Sequence, residues 1–216
     1  MNKIVKKILV VLPVLILTFL FLKANYRDEY RHAGARRLLL FILTIVILYA
    51  WILIYVLTHK QDSFWKVIIQ SSFFVYIFMV LTLTGYFILF RELTYSGWWQ
   101  KMLLRFERRD HVNLELLEIF RIYKITDKQI LGNFVMLLPL GIYLPLLYKR
   151  ISRFVPVLLV SLMVAVIIEM LQLATSFRSV DIDDVLLNTS GACVGYLIFK
   201  LIKLSFQENR LSEFSK

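Results

Sequence analysis

The sequence of 216 residues has few of the residues on which most metalloenzymes and disulfide-rich domains depend. It contains one cysteine, Cys193, and three histidines. A lone cysteine allows neither an internal disulfide nor a cysteine zinc site, and the histidines are scattered without ligand spacing. HExxH, P-loop, GxSxG and GxGxxG motifs are also missing. The sequence therefore gives no indication of these motif-bearing enzyme classes.

Acidic residues are scarce as well: 15 Asp and Glu stand against 26 Lys and Arg, which gives a net charge of +11. The basic residues lie in the connecting segments rather than in one patch. Such juxtamembrane charges are typical of contact with anionic lipid headgroups, so we predict membrane lipids as partners and no nucleic acid.

Apolar residues are abundant, at 59% of the chain with a mean hydropathy of +0.71. A run of about 18 or more apolar residues is long enough to span a bilayer. The sequence predicts an all-α fold, a polytopic transmembrane helical bundle with about six spanning helices in a cell membrane. The predicted spans are Ile4–Leu22, Leu38–Leu57, Val67–Phe90, Leu131–Tyr148, Phe154–Ala174 and Val185–Leu204.

The longest stretch between spans, residues 91–130, has two apolar stripes at helical spacing. The first contains Trp98, Trp99, Met102, Leu103 and Phe106, and the second contains Leu116, Leu117, Phe120 and Tyr123. Charged residues occupy the opposite faces, which predicts two amphipathic helices lying in the membrane interface. Packing against the bundle as soluble-type helices is the alternative.

Polar residues of the last predicted span recur at helical spacing. Asp181, Asp184, Asn188, Gly191 and Gly195 fall on one stripe of a helix with 3.6 residues per turn. An ordinary structural interpretation makes Asp181 the N-cap of this helix and the glycines a G-x-x-x-G packing motif. It makes Asp183 and Asp184 first-turn acids that complement the helix dipole.

The structural interpretation does not account for every polar residue. Asn188 lies a turn deeper, while Glu169 and Gln172 share a face near the end of the preceding helix. Polar residues are costly within a bilayer and commonly mark functional sites. We therefore expect a polar pocket between the last two helices, with Asn133 contributing from the fourth span.

Three patterns in the C-terminal third together resemble the VanZ-like family of bacterial membrane proteins. They are N-x-x-x-x-x-P-L-G-x-x-x-P from Asn133, I-E-x-x-Q from Ile168, and R-x-x-D-I-D-D-x-x-x-N-x-x-G-x-x-x-G from Arg178. The match is best over residues 131–200. Upstream, the family's N-L-I-P-F-like stretch lacks its proline and phenylalanine here, where Asn113-Leu114 is followed by Glu115-Leu116-Leu117. Together with the predicted spans, the resemblance divides the chain into three parts. They are an N-terminal span with a basic connection (1–37), a membrane domain (38–204) and a polar tail (205–216).

The resemblance implies a multi-pass protein of the bacterial cell envelope, since the family's namesake group lowers susceptibility to the lipoglycopeptide teicoplanin. We predict a non-enzymatic protein without a cofactor whose outward polar pocket binds a lipid-linked cell-wall component or a lipoglycopeptide. This binding would modulate susceptibility to teicoplanin-type glycopeptides. The expected ligand-binding residues are Asn133, Glu169, Gln172, Arg178, Asp181, Asp184 and Asn188.

The sequence is also compatible with two functions other than a non-enzymatic binding protein. One is an enzyme acting on a lipid phosphate or pyrophosphate, with Mg²⁺ held by Asp181, Asp183 and Asp184 and with Glu169 as acid or base. The other is a transporter, suggested by Glu169 within a span.

The distribution of basic residues indicates an orientation. With residues 91–130 set aside as interfacial, the side of both termini has 12 Lys and Arg and the opposite side has 6. The positive-inside rule then favours cytoplasmic termini and a pocket that faces outward.

Overall fold

The computed structural model describes residues 35–59, 63–84, 97–108, 112–122, 124, 126–173 and 180–214. The chain divides into two compact units, Met1–Arg91 and Glu92–Lys216. The predicted first span, Ile4–Leu22, lies outside the described residues.

The first unit contains two packed helices, α1 (Ala35–Thr58) and α2 (Phe64–Leu83). Both sequences are apolar around most of the helix, as helices in a lipid environment are. The Ser63 hydroxyl caps α2 by accepting a hydrogen bond from the Lys66 N–H at 3.3 Å. The ring of Trp51 stacks on that of Phe74 with centroids 5.0 Å apart, which joins the two helices.

The second unit contains five helices and a pair of two-residue strands among its described residues. In chain order these are α3 (Trp98–Glu107), β1 (Val112–Asn113), α4 (Ile119–Ile122), α5 (Lys128–Leu147), α6 (Phe154–Leu173), β2 (Val180–Asp181) and α7 (Ile182–Phe214). A short 3-10 turn, Lys149–Ile151, joins α5 to α6.

Helices α5 and α7 run parallel and touch along their backbones. A Cβ atom added to Gly191 would lie 1.8 Å from the Phe134 carbonyl oxygen, and one added to Gly195 would lie 2.0 Å from that of Leu138. Gly141 makes the reciprocal approach, since its Cβ would lie 1.9 Å from the Ala192 carbonyl oxygen. The predicted G-x-x-x-G packing motif is confirmed, and α5 is the helix against which it packs.

Helix α6 runs antiparallel to α7 and also packs against it. Near one end, the Glu169 carboxylate accepts a hydrogen bond from the Asp181 N–H at 3.2 Å. Near the other end, the Phe154 and Tyr196 rings lie 5.6 Å apart, and the Tyr196 hydroxyl donates to the Ser152 carbonyl oxygen at 3.4 Å. The C-terminal end of α6 therefore lies beside the N-terminal end of α7.

The all-helical transmembrane prediction is confirmed, with four described helices long and apolar enough to cross a membrane. They are Trp65–Leu83, Lys128–Leu147, Phe154–Gln172 and Ile182–Ser205. The predicted second span corresponds to α1, whose stretch Val46–Thr58 is a shorter apolar helix. The protein is thus a multi-pass membrane protein.

The predicted amphipathic helices have different outcomes. The first is present as α3. The second is wrong: the chain forms a turn before α4, a single helical turn of four residues, and Leu117 has a positive φ of 68°. A left-handed residue cannot continue a right-handed helix, so the apolar spacing at 116–123 does not reflect a continuous helix.

Candidate functional site

The buried carboxylate of Asp183 holds the segment that precedes α4. Its two oxygens accept hydrogen bonds from the backbone N–H groups of Leu117, at 2.6 Å, and Ile119, at 2.9 Å. Asp183 has no solvent exposure. A charge buried this deeply is stabilised by such charge-assisted bonds, and the bonds also explain why Leu117 keeps its unfavourable φ. Asp183 therefore has a structural role.

The neighbouring acid, Asp181, caps α7 and fastens the same segment. One of its oxygens accepts a hydrogen bond from the Asp183 N–H at 2.9 Å, as the sequence predicted for an N-cap. The other accepts a hydrogen bond from the Asn113 side-chain amide at 3.3 Å. Strands β1 and β2 pair in parallel here, with Asn113 opposite Asp181. Burial raises the pKa of the Asp181 carboxyl above its usual range, and these two hydrogen bonds oppose that shift.

The structure buries most of the residues predicted to bind a ligand. Glu169, Gln172, Asp184 and Asn188 are buried, and Asn133 is half-buried on α5. Because α5 and α7 are parallel and α6 is antiparallel to α7, these residues occupy the same end of the three-helix unit as β2. Arg178 lies outside the described residues.

Three buried polar residues on α6 and α7 stand out in their hydrogen bonding. Asn188 has no solvent exposure, and neither its side-chain oxygen nor its nitrogen has a hydrogen-bond partner among the described residues. The same is true of the hydroxyls of Ser161 and Thr189, both of which are buried. A buried polar group without a partner costs about 1–3 kcal/mol, so these three residues need an explanation beyond packing.

An open groove of about 640 Å³ runs along the surface between α6 and α7. Its lining is apolar apart from Glu169, Asp181 and Thr189, and it includes Leu114 and Leu116 from the segment before α4. On α6 it extends from Met170 to Leu158, which corresponds to about 18 Å of helix. Several of its apolar side chains are exposed, including Met170 at 65% and Leu159 at 59%.

The aspartates are not arranged around a common metal site. No group of three or more His, Cys, Asp or Glu side chains within the described residues could hold a metal ion. Both oxygens of Asp183 bind backbone N–H groups, and Asp181 caps α7 and binds Asn113. The hydrogen bonds thus assign two of the three acids of the Mg²⁺ alternative to structural contacts.

Comparison with protein families identifies the type of membrane protein. The model of the VanZ/LLP1 family matches residues 46–203, which is most of the chain and includes α5, α6, α7 and the polar residues between them. This protein belongs to the VanZ/LLP1 family. No curated protein and no solved structure matches the chain. The resemblance based on the three C-terminal patterns is therefore confirmed.

Three residues of this VanZ/LLP1 site were not predicted from the sequence. Asn113 belongs to the segment whose proline and phenylalanine are missing, yet it binds Asp181 through the part of the pattern that remains. Ser161 and Thr189 are isolated hydroxyl residues in apolar runs. They lie at the same level only because α6 and α7 pair in an antiparallel direction. The spacing of residues within one helix does not reveal that pairing.

Proposed function

We propose that this VanZ/LLP1 protein binds an amphipathic ligand of the cell envelope without chemically transforming it. The ligand is a lipid-linked cell-wall component or a lipoglycopeptide, and its binding modulates susceptibility to teicoplanin-type glycopeptides. The supporting observation is the groove between α6 and α7, which is apolar along most of its length and has acidic residues at one end.

The composition of the groove suits the two parts of such a ligand. A lipid chain would lie against Leu158, Leu159 and Leu162 and remove their apolar surface from water or loosely packed lipid. A head carrying hydroxyl or ammonium donors would face Glu169 and Asp181. In this proposal Gln172, Asp184, Asn188 and Asn133 support the polar end from inside the unit, and Arg178, which lies between α6 and β2 in the sequence, contributes to it as well.

Blocking the groove tests the proposal. Val166 lines the groove, whereas its neighbour Ile167 does not, and the two side chains are exposed to a similar degree, 41% and 47%. We expect Val166→Trp to reduce binding of a fluorescent lipoglycopeptide to protein in nanodiscs at least tenfold and to remove any effect on teicoplanin susceptibility. Ile167→Trp should leave both unchanged. Equal binding by the two variants would refute a site in this groove.

The proposal also requires the polar end to face outward, as the charge distribution favours. Glu115 is exposed and lies in the segment fastened to Asp181 and Asp183, so it reports the side of the membrane on which that end lies. With Cys193→Ala, a single cysteine at position 115 should react with a membrane-impermeant maleimide in whole cells. Reaction only after the cells are opened would move the search to cytoplasmic lipids.

A further inference from the structure

The segment that follows β1 starts alongside α7 rather than away from it. Strands β1 and β2 are parallel, with Asn113 opposite Asp181, so the chain that leaves Asn113 sets out in the same direction as the chain that enters α7. The hydrogen bond from the Leu117 N–H to Asp183 keeps the segment beside the first turn of that helix. Residues 114–118, which we call the wedge, therefore lie next to the start of a spanning helix.

Two neighbouring helices show how deep the wedge lies. Glu169 of α6 contacts Asp181, and the spanning stretch of α6 continues beyond this contact to Gln172, which adds about 4.5 Å of helix. Directly after the wedge, the buried Ile119 side chain packs with Leu187, about 8 Å along α7 from its first residue. The wedge is therefore at the level of the end turns of the spanning helices, where lipid headgroups give way to acyl chains.

The wedge presents apolar side chains at this level. Leu114 and Leu116 are 59% and 61% exposed, and they line the groove together with Val166 and Met170, which belong to the spanning stretch of α6. Glu115 is exposed but does not line the groove, as expected where consecutive side chains project to opposite sides. Apolar exposure at this depth is favourable against lipid.

The backbone of the wedge obtains hydrogen bonds from within the protein. A non-helical segment at bilayer depth needs them, because hydrocarbon offers no partner to its N–H groups. The two Asp183 oxygens accept from the N–H groups of Leu117 and Ile119, and the Asn113 side-chain oxygen accepts from that of Glu115 at 2.9 Å. An acid without solvent exposure thus takes the place of water for this part of the backbone.

We propose that the wedge is inserted into the lipid leaflet at its end of the groove. Leu114 and Leu116 contact acyl chains there, and Asp183 supplies the acceptors that the backbone needs at that depth. Lipid is the occupant because the two leucines continue the exposed apolar surface that Val166 and Met170 form on a spanning helix. This inference goes beyond the proposed function, since contact with the leaflet does not require the proposed ligand.

Fluorescence quenching locates the wedge. In a Cys193→Ala background, Leu116→Cys or Glu115→Cys is labelled with an environment-sensitive fluorophore, and the purified full-length protein is placed in nanodiscs. The quenchers are aqueous iodide and phospholipids brominated near the top of the acyl chain. We expect the brominated lipid to quench the label at position 116 about threefold more than the label at 115, and iodide to show the reverse order. Position 115 is the matched control, because it is adjacent and equally part of the wedge.

A further pair of variants tests the role of Asp183. Asp183→Asn removes one of the two acceptors, so we expect the label at 116 to become as accessible to iodide as the label at 115. Asp127→Asn changes an exposed capping acid and should keep the wild-type quenching pattern. Thermal unfolding of each labelled protein verifies that it is folded.

Each possible outcome decides for or against the inference. Lipid quenching at 116 that Asp183→Asn abolishes supports it. Strong iodide quenching at 116 with Asp183 intact would place the wedge in water and overturn it. Protection of that label from both quenchers would show that protein, such as a second copy of the chain, covers Leu116, and this too would overturn it. Unchanged lipid quenching in Asp183→Asn would refute the role of Asp183.

Discussion

The two halves of the described apolar part of α7 are held in different ways. From Gly191 to Tyr196 the helix lies directly against the backbone of α5, with no space for a side chain at Gly191 or Gly195. At its N-terminal end the helix is held by hydrogen bonds that depend on individual acids, namely Asp181 and Asp183. Close backbone packing fixes the position of the helix without any polar group. Because the glycine half already positions the helix, polar residues in the other half can have a function besides stability.

The largest effect is expected in the glycine half. A Cβ atom at Gly191 would overlap the Phe134 carbonyl oxygen, so Gly191→Ala must separate α5 from α7. We expect a loss of about 3 kcal/mol in the free energy of unfolding, measured by denaturation in mixed micelles. Gly132, on α5, has no atom within 4 Å of such a Cβ. Gly132→Ala should be neutral or slightly stabilising, and equal losses for the two variants would contradict the close packing.

In the polar half, Asp183→Asn should have the next largest effect. The amide retains one acceptor oxygen but places N–H groups against a backbone N–H, so one of the bonds to Leu117 and Ile119 is lost in a buried position. We expect a loss of about 2 kcal/mol in the free energy of unfolding. Limited proteolysis should also begin to cut at residues 114–118.

Asp127 provides the control for this prediction, because it is an exposed acid that caps α5. Asp127→Asn should change the free energy of unfolding by only a few tenths of a kcal/mol, since asparagine is an equally good N-cap. If residues 114–118 resist proteolysis equally well in Asp183→Asn and in wild type, Asp183 does not hold this segment.

Asn188→Leu should give a change of the opposite sign. Removing a buried amide that has no partner among the described residues, and replacing it by an apolar side chain of similar size, should leave the free energy of unfolding unchanged or raise it by about 1 kcal/mol. A destabilisation as large as that of Asp183→Asn would place Asn188 among the structural residues instead.

The smallest effect concerns the pH dependence of stability at Asp181. Burial raises the pKa of this carboxyl in the folded protein, so the folded state binds its proton more tightly than the unfolded state does. The Asp181 contribution to stability is therefore greatest at low pH and declines as pH rises from the ordinary aspartate range through the raised value. Melting temperatures measured across acidic pH should show this decline in wild type, and Asp181→Asn should remove that part of it.

The sequence predicted the parts of the structure that depend on one helix at a time. The apolar runs predicted the spanning helices, and the spacing of Asp181, Gly191 and Gly195 predicted a cap and a packing face. Relationships between distant segments were not predictable in this way. The apolar spacing around Leu117 resembled a helix, but the bonds from Asp183 hold that residue in a turn. The juxtaposition of Ser161 with Thr189 likewise depends on the register of α6 against α7.

The bonds to Asp183 also constrain the order in which the protein can be assembled. Leu117 and its acceptor are separated by 66 residues, and two spanning helices, α5 and α6, lie between them. During synthesis the segment at Leu117 leaves the ribosome first and has no partner until the start of α7 follows. A chain halted after α6 lacks the acceptor of both bonds, so nothing yet holds the segment at Leu117 through Asp183. Synthesis of the start of α7 supplies that acceptor, so the two bonds form only in a chain extended beyond Asp183.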